Sequence, residues 1–159
     1  MLAKAVAGWD EMRAAEGRNL CADLLVKAER VRAMAGEVKT LSEADIAGYP
    51  QKLEQRIRKF LADFDAEASE QRILTEAAIF ADRAAIDEEL VRLDSHFKAF
   101  AEIVGSDEPA GRKLDFLVQE INRETNTIGS KAGDAQIARL VVDMKTEIEK
   151  IREQIQNLE

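Results

Sequence analysis

The sequence predicts an all-α fold: a long antiparallel helical hairpin followed by a helical bundle with heptad-like seams. Three observations predict it. Ile86, Leu90, Leu93, Phe97, Phe100 and Val104 recur at spacings of 4-3-4-3-4, which keeps one face of a helix apolar. Ile137, Val141, Met144, Ile148, Ile151, Ile155 and Leu158 repeat the alternation of 4 and 3. No segment sustains an apolar–polar alternation of period two, so nothing reads as a strand. Composition agrees, with Ala, Glu, Leu, Lys and Arg dominant, aromatics at 5%, and Pro50 and Pro109 the only prolines.

The elements follow in order. A first helix is expected from Leu2 to Lys39, where Leu24, Val31 and Val38 step by seven residues with Leu20 and Ala35 beside them. Gly8, Gly17 and Gly36 weaken it. Thr40 to Pro50 reads as a turn. Ser42 with Asp45 three residues on resembles a helix start, and Pro50 lacks an N–H, so the next long helix either kinks there or begins near it. The next helix carries Leu53, Ile57, Phe60 or Leu61, and Phe64, and it returns along the first as the second arm of the hairpin.

A polar stretch from Asp65 to Ser69 leads to a third helix through Ile73, Ala77 and Phe80, with no breaker before the Ile86 seam. Gly105 to Gly111 is the best boundary in the chain; Asp107 suits a cap and Pro109 a first helical turn. The helix that follows has Leu114, Leu117 or Val118, Ile121 and Ile128 on its apolar side. Gly129 and Gly133 bracket a turn, and Asp134 caps the last helix. The hairpin is assigned residues 1–66 and the C-terminal helical domain 67–159. Apolar stripes on the hairpin longer than one small bundle covers point to a homo-oligomer.

Charge and cysteine usage narrow the function. A net charge of −8 disfavours indiscriminate nucleic-acid binding. The imbalance is uneven. Residues 110–139 carry Arg112, Lys113, Arg123, Lys131 and Arg139 against Asp115, Glu120, Glu124 and Asp134, a net +1 that leaves −9 for the rest of the chain. An anion-binding surface is therefore expected to involve this segment. Cys21 is the single cysteine, so no intramolecular disulfide forms, as suits a reducing cytoplasm. No apolar run approaches the roughly 18 residues of a membrane span, and residues 1–9 do not read as a signal peptide. A cytoplasmic protein with no membrane partner is expected.

Two sets of side chains stand out. Arg112, Asp115, Gln119, Asn122, Arg123, Asn126 and Ser130 fall at three- and four-residue spacings on one side of a helix. Asn is a poor helix former, so amides in place of Glu and Lys call for a reason. One is recognition of a polar partner, since amides and Arg contact bases and phosphates. The other is hydrogen bonding between helices at a subunit contact. His96, the only histidine, shares a helix face with Glu89 and Arg92. With carboxylates from a neighbouring helix, such as Glu120 and Glu124, it can hold a divalent metal; a half-exposed His paired with an acid is the plainer reading. The Asp87-Glu88-Glu89 run reads as a solvated face more than as a site. A paired Cys/His zinc site and a phosphate-binding Gly-rich loop are both missing. No small-molecule cofactor is expected.

From Ala81 onward the chain reads ADRAAIDEELVRLDSHFKAF and then GRKLDFLVQEINRETNTIGSKAGDAQIARLVVDMKTEIEKIREQIQNLE. This closely resembles the C-terminal region of the YicC/YloC family of bacterial endoribonucleases, once known as stress-induced proteins. The most specific blocks are Gly111 to Lys131, ending Ile128-Gly129-Ser130-Lys131, and the terminal Glu149-Lys150-Ile151-Arg152-Glu153-Gln154. Met12-Arg13 and Glu16-Gly17 resemble the middle of the same proteins more weakly. Pro50 departs from the uninterrupted helix that the family would place there.

Family members carry a further N-terminal domain ahead of this point, so the resemblance implies the C-terminal part of a longer protein. It also implies a metal-dependent endonuclease acting on RNA, with Mn2+ or Mg2+, assembled as a ring-like homo-oligomer, a hexamer. Under that resemblance Arg112, Lys113, Gln119, Asn122, Arg123, Asn126 and Lys131 are the candidates for RNA contact. Asp87, Glu89, His96, Glu120 and Glu124 are the candidates for the metal, with Glu120, Glu124 and His96 the catalytic candidates. The rival reading is a non-catalytic helical oligomerisation module supporting an active site made by the N-terminal domain. Clustering of Glu89, His96, Glu120 and Glu124 favours the first, and dispersal into separate salt bridges the second.

Overall fold

The computed structural model describes residues 2–62, 73–81, 86–106 and 110–156, and the described residues are helical apart from short connections. Helix α1 spans Leu2–Ala62, α2 Ile86–Val104, α3 Gly111–Lys131 and α4 Ala135–Gln156. Residues 73–81 form a further helical stretch. The all-α expectation holds. Among the described residues no helix is long and apolar enough to cross a membrane.

The turn expected at Thr40 to Pro50 is absent. α1 passes through it unbroken, so residues 2–39 and 51–62 lie on one helix and are not two arms of a hairpin. At 61 residues it extends about 90 Å. Pro50 removes one backbone hydrogen bond, and contacts around it favour the helix over a turn. Lys52 Nζ reaches back across it to Asp45 Oδ1 at 2.9 Å. The Tyr49 hydroxyl donates to the Glu76 carbonyl at 2.7 Å and lies 2.9 Å from Glu76 Oε2. The Tyr49 ring meets Phe80 with centroids 4.9 Å apart, and Arg56 pairs with Glu76. The distal half of α1 thus has an antiparallel partner, but it is the stretch at 73–81. Ser42 lies buried inside α1 and starts no helix. The boundary at 66/67, the polar stretch 65–69 and the Asp107 and Pro109 positions lie outside the described residues.

The proximal part of α1 joins α2, α3 and α4 in an up-down-up-down bundle. α1 packs on α2 and α4, and α3 closes the ring between them. Each seam residue expected on α2 is buried, as are Ile137 to Ile155 on α4. Leu24, Ala28, Val31 and Val38 complete the core from α1. Arg32 Nη2 meets Asp94 Oδ1 at 2.9 Å and ties α1 to α2. Hydrogen bonding from Lys98, with Arg32 adding to it, holds the Asp94 carboxyl below its usual range.

α3 and α4 approach closely at Gly129, where a Cβ would lie 2.9 Å from Val141 Cγ1. Asp134 caps α4, its Oδ1 accepting the N–H groups of Gln136 at 2.7 Å and Ile137 at 3.1 Å. The ring order of the helices places α2 beside α3, and the candidate site lies along that seam.

Candidate functional site

On α2, Glu89, Arg92 and His96 fall at i, i+3 and i+7, a stripe bordering the apolar seam on the side of α3. On α3, Glu120, Glu124 and Lys131 form the facing stripe. Residues beside a core seam are part-covered by the neighbouring helix, which is why these carboxylates are shielded. Glu89 is 3% exposed and Glu124 6%, while His96 and Glu120 are half-buried. One ligand atom from each of His96, Glu120 and Glu124 lies within 4.8 Å of the others.

Glu89 and Glu124 are joined by a cation. Arg92 donates from Nε to Glu124 Oε2 at 3.0 Å and from Nη2 to Glu89 Oε1 at 2.7 Å. Its Nη1 lies 3.5 Å from Glu88 Oε2. The hydrogen bond to Glu124 is the main reason its guanidinium pKa is raised, so Arg92 stays charged. Lys131 Nζ also meets Glu89 Oε1, at 3.1 Å. Among the described residues Glu89 Oε2 is buried without a partner. Arg92 and Lys131 together balance Glu89 and one further carboxylate. Among the described residues Glu120 has one loose ion pair, Arg123 Nη1 at 3.7 Å with its side chain 74% exposed.

The donor set fits a divalent ion. Imidazole nitrogen and carboxylate oxygen are ligand types that divalent ions take, and of the two carboxylates Glu120 is the one that Arg92 and Lys131 do not pair with. Three protein ligands leave positions open on a six-coordinate ion. Imidazole suits transition metals, whereas Mg2+ prefers oxygen. The mixed set therefore matches Mn2+ better than Mg2+.

The other predicted residues are placed as follows. Glu89 shares the stripe of His96 but enters the Arg92–Lys131 network. Asp87 is exposed and borders the groove that α2 forms with α1, beside Arg32 and Lys39, away from the cluster. Arg112, Lys113, Gln119, Arg123 and Asn126 are exposed and Asn122 is half-buried. Gln119 Nε2 donates to Asp115 Oδ2 at 2.7 Å. Lys131, expected among these, instead faces Glu89.

Two residues were not singled out from sequence. Arg92 was recognised only as a neighbour of His96, because its acceptor on α3 is 32 residues away. Phe116, 62% exposed, sits on the polar side of α3. Its signal was available as a large aromatic outside the apolar register of Leu114, Leu117 and Ile121.

Comparison with known proteins bears on this arrangement. A family model described as "Endoribonuclease YicC-like, C-terminal" matches residues 38–159. A protein of Clostridioides difficile strain 630 named "Probable endoribonuclease YicC" is 44% identical over 149 residues, covering 94% of this chain and 50% of its own length. A Haemophilus influenzae protein of the same name is 36% identical over 148 residues, covering 93% and 50%. The chain spans about half the length of these curated relatives.

Proposed function

Because the chain belongs to the YicC-like endoribonuclease family, we propose that it is the RNA-clamping, metal-binding helical part of a divalent-metal-dependent endoribonuclease. The observation that carries this reading is the convergence of His96, Glu120 and Glu124 from two helices beside the amide- and arginine-bearing side of α3. An ion bound there would activate a nucleophile and stabilise charge on phosphate oxygens. The protein groups have separable tasks. His96, Glu120 and Glu124 supply the ligand atoms, and Mn2+ is the favoured ion on the donor chemistry. Arg92 fixes the Glu124 carboxylate through Nε. Arg112 and Arg123 offer guanidinium groups to the phosphate backbone, and Asn122 and Asn126 offer amides to sugar or base edges.

The rival, a non-catalytic support module, draws on the Glu89–Arg92–Lys131 network, which is the ion-paired arrangement it requires. The three-residue cluster favours the metal reading. Self-assembly remains part of the proposal, supported by the apolar side chains of Trp9, Met12 and Val26 that α1 leaves exposed.

The test incubates the chain with end-labelled RNA in Mn2+, in Mg2+ and in chelator. Cleavage is expected with Mn2+, less with Mg2+, and none with chelator. RNA that is bound but cut under none of these conditions, with cutting restored by adding the N-terminal half of a longer relative, would establish the support module instead.

A further inference from the structure

Phe116 interrupts the polar surface of α3. It lies beside a shallow apolar groove floored by Ala99, Ile103 and Leu117, with Arg112 and Lys113 on its edge. Arg112 is four residues before Phe116 and Arg123 seven after it, so both project on the same side of the helix as the ring. Both arginines are exposed, and the Arg123 ion pair to Glu120 is long at 3.7 Å. The site thus combines a free aromatic face, an apolar floor and flanking guanidinium groups.

Its position gives that combination a use. Phe116, Glu120 and Glu124 fall at i, i+4 and i+8, so the ring stands one turn, about 6 Å along the axis, from Glu120 of the candidate metal cluster. We propose that Phe116 is a stacking platform for an unpaired RNA base, seating a nucleotide so that its neighbouring phosphate lies toward His96, Glu120 and Glu124. This rests on the reading of α3 as an RNA surface.

In a duplex each base face is covered by the next base pair, and proteins meet A-form RNA through its minor groove and backbone. Only an unpaired nucleotide can lay its face on an exposed ring, and aromatic stacking accepts any base. Cations on both flanks suit the phosphates on either side of that nucleotide. The same cations oppose the packing of this face against the same face of a second copy. The chain would therefore select single-stranded segments and loops through Phe116, with little preference for sequence.

Binding in chelator tests this without cleavage. The probe is a single-stranded oligoribonucleotide carrying 2-aminopurine, compared with a duplex of equal length. Phe116→Ala is expected to weaken single-strand affinity about tenfold and to abolish quenching of the 2-aminopurine, with duplex affinity unchanged. Phe116→Leu should fail in the same way, and Phe116→Trp should bind and quench as wild type does.

Wild-type behaviour of Phe116→Leu would overturn stacking in favour of simple apolar contact. If Phe116→Ala binds normally while Arg112→Ala/Arg123→Ala binds weakly, stacking is wrong and the RNA face stands. If neither weakens binding, the RNA face itself is wrong. A changed molar mass in light scattering for Phe116→Ala with unchanged RNA affinity would make the groove a contact between copies, again overturning the proposal.

Discussion

Replacing Glu120 and Glu124 together by glutamine is expected to lower Mn2+-dependent RNA cleavage by about 100-fold or more, since metal stabilisation of the transition state is worth several kcal/mol. RNA affinity measured in chelator should stay near the wild-type value. Glutamine keeps the size of each side chain, and its carbonyl oxygen still accepts from Arg92 Nε at position 124, so the bundle has little to repack. What it loses is the anionic ligand atom, in two of the three residues that meet. Glu88→Gln is the control, because Glu88 is exposed and outside the cluster. Equal loss of cleavage in that control would locate the effect in general charge and not in the cluster. Parallel loss of binding and cleavage in the double variant would make the two carboxylates structural.

The second large effect is expected from Arg112→Ala/Arg123→Ala. The two arginines are eleven residues apart, about 16 Å along the axis and on the same side. Removing two phosphate contacts should weaken single-strand RNA binding on the order of tenfold at 0.1 M salt, and reduce the slope of log affinity against log salt by about 1.4. Helicity should be unchanged, since both side chains are exposed and alanine is the strongest helix former. A double variant that loses its fold or its assembly, while the remaining native protein binds RNA normally, would give this helix a structural role.

Much of the bundle was legible because its information is local. The 4-3 repeats that identify α2 and α4 are the residues that become their buried seams, and Asp134 caps where an Asp before a helix should. The turn expected from Thr40 to Pro50 does not form, and the contacts that accompany the unbroken helix there are distant in sequence. Tyr49 is held by Glu76 and Phe80, which no window around Pro50 contains.

The site divides in the same way. His96 and Glu89 are seven residues apart and share a stripe, as their spacing implies. Asp87 is nine residues from His96, and at 100° per residue that puts them on opposite sides of α2, about 180° apart; its candidacy comes with the family resemblance and not from spacing. Which carboxylates of α3 would face His96 depends on how α2 and α3 pack, and spacing within one helix carries no such information. Lys131 is an RNA candidate through the family motif that it ends, but its partner Glu89 lies 42 residues earlier.

If His96, Glu120 and Glu124 form one ion site, a Mn2+ titration of the chain followed by electron paramagnetic resonance will detect it. The signal of free Mn2+ should be suppressed until a single saturable site per chain is filled. His96→Ala and the double glutamine variant, each with wild-type helicity, should lose that site. Saturable binding of equal strength in the wild type and both variants, or no binding by the wild type at all, would contradict that assignment.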